Sequence, residues 1–202
     1  MFKKIAMLLP LALCTLPAAA ASDGFLDVYY VPSVQSKIGS GDVSDNGHGF
    51  GAKFTQPLFG PTFVVTGQFQ RDNLDGGHID QYRIGGGVQS SPDRARLLAY
   101  GEYVRDQLKS DSGGSGVLDG FGVHARVTWT ILEPLDIYGE AGYVRLTLDS
   151  HTFDGPEFTV GAVFNFTQQL GAFADYRITR TDTNGDDKAR FYETRVGLRL
   201  NF

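Results

Sequence analysis

The residues of this chain that carry chemistry fall into two groups, a few short polar clusters and a set of charges placed at every second position. Ser150, His151 and Asp154 bring a nucleophile, a base and an acid into one segment, the inventory of a hydrolase. His78 lies near Asp75 and Asp80, and His124 stands alone among apolar neighbours. Nothing in their spacing brings a base onto a nucleophile, and histidines in polar connections are ordinary, so the sequence implies no catalytic site. Asp182-Thr183-Asn184-Gly185-Asp186-Asp187, with Glu193 in twelfth place, has the acids of a calcium loop. Its glycine is fourth rather than sixth and its flanks read as strands, so Asn-Gly marks an acidic turn instead. The glycine runs Gly85-Gly86-Gly87 and Gly47-His48-Gly49 precede no helix and therefore cradle no phosphate. No metal and no other cofactor is expected.

The alternating charges say more. In the last eight residues Val196, Leu198, Leu200 and Phe202 alternate with Arg195, Gly197, Arg199 and Asn201. A period of two is the mark of a strand between an apolar and a polar environment. Here the apolar side runs to the final aromatic, as it does on a strand facing lipid. Nine further stretches alternate in the same way: 25–32, 48–56, 62–71, 79–89, 96–107, 121–131, 135–148, 158–166 and 170–181, with the last strand starting near Arg190. In 96–107 two apolar sets compete for lipid. Leu97, Ala99, Gly101 and Tyr103 are assigned outward because that choice hides Glu102, whose charge would be costly in the bilayer.

The connections support the same architecture. Those after even-numbered strands are short (57–61, 90–94, 132–134 and 168–169). Those after odd-numbered strands are longer and more polar (33–47, 72–78, 108–120, 149–157 and 182–189). Short periplasmic turns, longer external loops and an even strand count define outer-membrane barrels. A sheet with a free edge cannot span lipid, so the first strand must pair with the last. The fold class expected is therefore all-β, a closed antiparallel up-and-down transmembrane barrel of ten strands. The count falls to eight if 25–32 or 96–107 is not a strand. Aromatics gather at both predicted rims, Phe54, Phe59, Phe63, Trp129, Phe164 and Phe202 at one and Tyr30, Phe69, Tyr82, Tyr143 and Phe158 at the other.

On the inward parity lie six acids, Asp27, Glu102, Asp136, Glu140, Asp175 and Glu193, and six bases, Lys53, Arg83, Arg126, Arg177, Arg195 and Arg199, with His124 as an extra. A wide selective pore would favour one sign, so equal numbers point to a narrow lumen filled by mutual ion pairs. The alternative for the same residues is a narrow channel for small solutes or ions. Tyr100-Gly101-Glu102 recurs as Tyr138-Gly139-Glu140, each followed by Tyr-Val-Arg, as two upward strands in equivalent settings would be.

The beginning of the chain is an address. Lys3 and Lys4, the apolar run Ile5–Leu13 and the small residues Ala18–Ala21 read as a secretory signal peptide over 1–21, leaving one barrel domain over 22–202. The run is too short for a membrane helix, where about 20 apolar residues are needed. Cys14 follows the bulky Leu13, which disfavours lipoprotein processing, and beyond residue 21 there is no cysteine. Removal of the two lysines takes the formal charge from −5 to −7. An acidic chain without a basic run excludes nucleic acid as a partner.

The pattern Arg195-x-Gly197-x-x-Leu200-x-Phe202 resembles the C-terminal assembly signal of bacterial outer-membrane proteins, and with its hairpins the chain resembles the small OmpX/OmpA-like barrels over its length after residue 21. Ten strands depart from the eight usual there. The resemblance implies an integral protein of a Gram-negative outer membrane, both termini periplasmic, with a structural or surface-interaction role through its external loops. It implies outer-membrane lipid and lipopolysaccharide as surroundings, the barrel-assembly machinery as a partner in biogenesis, and a monomer without enzymatic activity.

Overall fold

The computed structural model describes residues 24–38, 44–148, 151–183 and 188–202. Residues 1–21, Ser150 and the turn 184–187 lie outside them, so the signal peptide, the Ser150 cluster and most of the calcium-loop pattern have no structural account here. Ten strands run in chain order: β1 Phe25–Ile38, β2 Ser44–Leu58, β3 Phe63–Leu74, β4 Gly77–Ser90, β5 Ala95–Ser110, β6 Ser115–Leu132, β7 Leu135–Leu148, β8 His151–Asn165, β9 Leu170–Thr183 and β10 Lys188–Asn201. Each pairs antiparallel with its sequence neighbours, and β1 pairs with β10 from Phe25↔Asn201 to Ile38↔Ala189, which closes the ring. No backbone edge is left open, as a spanning sheet requires.

Parity is inside out relative to a water-soluble sheet. Val28, Ile84, Phe121, Val123, Val160 and Leu198 are about 60% exposed on the outer surface, while Arg195, Arg177, Glu157 and Gln70 are at most 3% exposed within. An apolar belt around the whole circumference is far larger than a water-soluble monomer carries, so lipid must cover it. The competing assignment for β5 resolves as expected: Leu97, Ala99, Gly101 and Tyr103 face out, and Leu98, Tyr100 and Glu102 are buried. Exposed aromatics ring both edges of the belt. Phe54, Phe63, Trp129, Phe164 and Phe166 mark the end where the termini lie, here the near end. Tyr30, Phe50, Tyr82, Tyr103, Phe121, Tyr143, Phe158 and Tyr176 mark the far end.

The strand boundaries correct the sequence reading at the far end. Residues expected as long loops continue as paired strand beyond the aromatics: 33–38 and 44–47, 72–74 with 77–78, 108–110 with 115–120, and 151–157. The β3–β4 connection shrinks to Asp75-Gly76 and the β5–β6 connection to Asp111–Gly114. Past the bilayer both faces of a strand meet water, so alternation ceases to mark the strand while the backbone ladder continues. Near-end turns stay short; Phe59 and Gly60 adopt positive φ of 55° and 107° in the β2–β3 turn, where glycine at the second position removes the steric cost. Pro32, which has no N–H for the ladder, sits where the register of β1 shifts against both neighbours.

Candidate functional site: the charged lumen

Strand tilt brings inward residues from different strands together, and the charges form named pairs. Arg199 donates from Nε and Nη2 to the two oxygens of Asp27, both at 2.7 Å, and its guanidinium lies 4.0 Å above the Phe25 ring. Arg195 grips Asp175 in the same two-pronged way at 2.7 and 2.9 Å. Such forks are the strongest arrangement open to arginine and a carboxylate. Tyr138 donates to Asp175 at 2.6 Å, and Arg126 lies 4.6 Å over the Tyr138 ring while donating to Glu140 at 2.7 Å. Glu140 also accepts from Tyr100 at 3.1 Å and has Lys53 Nζ at 4.0 Å. Arg83 bridges Glu102 at 2.8 Å and Glu157 at 2.8 and 2.9 Å, and Thr179 donates to Glu157 at 2.8 Å.

Toward the far end the network becomes amide-rich. Arg177 donates to Glu193 at 2.8 Å and to Gln81 at 3.1 Å. Gln68 donates to Gln81 and Gln70, Tyr29 donates to Gln70 at 3.1 Å, and Gln70 donates to Asp72 at 2.8 Å. Toward the near end Val64, Leu98 and Tyr100 form one buried apolar cluster. Tyr29, Val31, Val34, Tyr138, Val163 and Phe173 form another. Side chains from all ten strands therefore meet in the interior.

Two local devices make this packing fit. The tyrosines repeat one reach: Tyr29 of β1 to Gln70 of β3, Tyr100 of β5 to Glu140 of β7, and Tyr138 of β7 to Asp175 of β9. The repeated Tyr-Gly-Glu motif supplies the second and third. Three inward rings also lie across a glycine on the next strand. A Cβ on Gly51 would sit 2.6 Å from the Tyr29 ring, one on Gly161 2.7 Å from Tyr138, and one on Gly142 2.1 Å from His124 Nδ1.

His124 occupies the middle of the cluster, wholly buried and stacked on Tyr100 with ring centroids 5.0 Å apart. Its Nε2 stands 3.1 Å from Glu102 and its Nδ1 3.9 and 4.0 Å from Glu140 and Glu157, without an aligned hydrogen bond at either nitrogen. His124, Glu140 and Glu157 could in distance share a cation. Their carboxylates are already held by Arg126 and Arg83, with Lys53 alongside, so a dication would enter a neutralised cluster against three positive charges.

Of the sequence-assigned lumen residues, Asp27, Lys53, Arg83, Glu102, His124, Arg126, Glu140, Asp175, Arg177, Glu193, Arg195 and Arg199 come together in these clusters. Asp136 does not. It accepts from Thr130 at 2.6 Å and Asn165 at 3.1 Å in a polar pocket at the near end, apart from the arginine network. Equal numbers of inward acids and bases also need correction, because Glu157, Asp72 and Asp106 face inward from strand that was read as loop or left unassigned. The signal for Glu157 was its parity with Thr159.

The C-terminal pattern divides into separate tasks. Arg195 pairs with Asp175, Gly197 leaves room for Tyr29 against β1, and Leu200 faces lipid. Phe202 donates its backbone N–H to Gly24 at 3.1 Å and lays its ring where a Gly24 side chain would be. Of the described hydrolase candidates, Asp154 takes the hydroxyl of Tyr143, and Asp80 is held by Arg71 at 2.5 and 2.6 Å with His78 4.0 Å away.

A closed ring of ten strands, an apolar belt between aromatic rims and a polar interior define the fold class: a transmembrane β-barrel of the outer-membrane kind. Within that class the chain is similar in fold to the outer-membrane protease OmpT from Escherichia coli, with a TM-score of 0.56, 8% identity, and 91% of this chain and 98% of that one covered. Neisserial surface protein A gives a TM-score of 0.42 at 13% identity over 91% of this chain and 100% of that one. Ail, the attachment invasion locus protein of Yersinia pestis, gives 0.37 at 16% over 88% and 99%. These are likenesses of fold. No protein-family model matches the sequence, and no curated protein matches it.

Proposed function

We propose that the protein is a barrel closed by its own side chains, serving the outer membrane as a structural and surface-presenting element and carrying out no catalysis. The observation that carries this reading is the lumen: arginine–carboxylate forks, tyrosine bridges and two apolar clusters contributed by all ten strands. Buried charges need partners, and here the partners are each other, so the interior is spent on specifying the barrel. In this reading residues 1–21 direct export, both termini face the periplasm, and the far-end strand extensions project outside. The belt is covered by lipid in a monomer, and the barrel-assembly machinery reads Arg195, Gly197, Leu200 and Phe202. The surface offered outside is paired strand, the β5–β6 hairpin above all, more than flexible loop.

A second reading, a narrow path for small cations, draws on Asp72 and Asp106 facing inward at the far mouth with the glutamines below them. Planar-bilayer recording separates the two. The closed barrel gives no stepwise openings, and Arg83→Ala with Arg126→Ala raises conductance. Stable, cation-selective openings of the unmodified protein would overturn the closed-lumen reading.

A further inference from the structure

Above the far aromatic rim the outward-facing arginines are matched by acids on neighbouring strands. Arg71 holds Asp80, Arg105 lies 3.7 Å from Asp119, and Arg145 is directly opposite Asp154. The sector β9–β10–β1 departs from this. Arg180 is opposite Arg190, and Arg190 is opposite Lys37. All three are exposed on the lipid-side parity and, among the described residues, none is in an ion pair. Asp182, the nearest outward acid on β9, is opposite Lys188 and Asp154 in register. Adjacent strands are about 4.8 Å apart, and like charges directly opposite destabilise a sheet, so among the described residues folding alone gives no reason for the row.

Depth supplies the reason. On the same outer face, from the near end upward, the rows read Leu26–Leu200–Leu170, Val28–Leu198–Ala172, Tyr30–Val196–Ala174, Ser33–Thr194–Tyr176 and Gln35–Tyr192–Ile178, then the three cations. Ten residues separate Leu200 from Arg190. At ~3.3 Å per residue and ~40° tilt they span about 25 Å along the membrane normal. That equals the ~25 Å height of the apolar band of such barrels, which sets the cations at head-group level. We infer that Lys37, Arg180 and Arg190 form a binding row for the phosphate of an outer-leaflet glycolipid, whose acyl chains lie on Tyr192, Ile178 and Tyr176. Guanidinium suits phosphate because its paired N–H groups match two phosphate oxygens. A phosphate held here relieves the repulsion within the row, and the acyl surface directly below it selects a lipid over a free ion. The chain as a whole is acidic, so the attraction is local to this sector.

The inference rests on the membrane-spanning reading, and the experiment keeps the two apart. The protein is folded into phosphatidylcholine vesicles containing a bisphosphorylated acylated glucosamine disaccharide (lipid A), extracted gently, and its bound lipid counted by native mass spectrometry. Insertion is followed separately by heat-modifiable gel mobility in phosphatidylcholine alone. Retention of lipid A falls at least tenfold in the triple variant K37Q/R180Q/R190Q and is unchanged in R105Q. The dephosphorylated glycolipid is not retained, and inorganic phosphate at the same concentration does not displace lipid A. Equal retention by the triple variant and the unmodified protein, equal loss in R105Q, or full displacement by inorganic phosphate overturns the row as a lipid site. Failure of the unmodified protein to insert overturns the membrane reading itself.

Discussion

Arg83 shows what a single lumen residue does. It faces two carboxylates at once, Glu102 and Glu157, each at 2.8 Å and each nearly fully buried. Removing one partner of a buried pair leaves an uncompensated charge, at a cost of about 3–5 kcal/mol. Arg83→Ala is therefore expected to lower the urea midpoint of the folded barrel in detergent strongly. Arg71→Ala, which breaks a pair whose arginine is 39% exposed, should cost under about 1 kcal/mol. Equal midpoint shifts for the two variants would remove the distinction between lumen and rim. Residues of this kind were readable from parity alone, since an inward charge must be polar on the correct alternate position. Their partners were not, because pairing across the lumen depends on stagger between strands, which no single stretch encodes. Asp136 illustrates the gap: its inward side was legible, but Thr130 and Asn165 as its partners were not.

At the level of the strand, the lipid face obeys depth. Val123 lies on the exposed face of β6 between the rim residues Phe121 and Trp129, and Val117 lies on the same face four residues beyond Phe121, past the far rim. An arginine at the midplane of such a face costs about 2–4 kcal/mol and near the interface about 0–1. Val123→Arg should thus reduce folding yield and stability in vesicles markedly, whereas Val117→Arg should be nearly silent by the same refolding titration. A large effect at Val117 would mean that the bilayer reaches higher on β6 than the aromatics indicate. The same physics explains how far the strands could be read. All ten were legible where one face meets lipid, and β7 begins and ends where alternation places it. The extensions of β1–β6 and β8 were hidden because outside the bilayer neither face selects for apolar residues. Glu157 was lost with them, since it sits just beyond Pro156 in the stretch that no longer alternates cleanly.

For the whole barrel, the decisive contact is the seam. Nine of the ten strand pairings join neighbours in sequence, and the tenth joins β1 to β10, with Asp27 and Arg199 bonded across 172 positions. Phe202 ends this seam against Gly24. Its deletion should leave the lumen pairs intact in principle yet slow or reduce closure, read as a smaller heat-modifiable folded fraction over time. Unchanged folding kinetics without Phe202 would show that the terminal ring is dispensable.

The seam also fixes an order of events. Hairpins can form as soon as their two strands are available, but the ring cannot shut until the last residues have been synthesised and delivered. Bringing the ends of so long a chain together carries a conformational search of about 4–5 kcal/mol by loop-closure statistics. Until that search succeeds, both seam strands carry bare hydrogen-bonding edges. A half-made barrel is consequently adhesive, able to capture a strand from any neighbour, and the interval before closure is the period in which this protein most needs an escort.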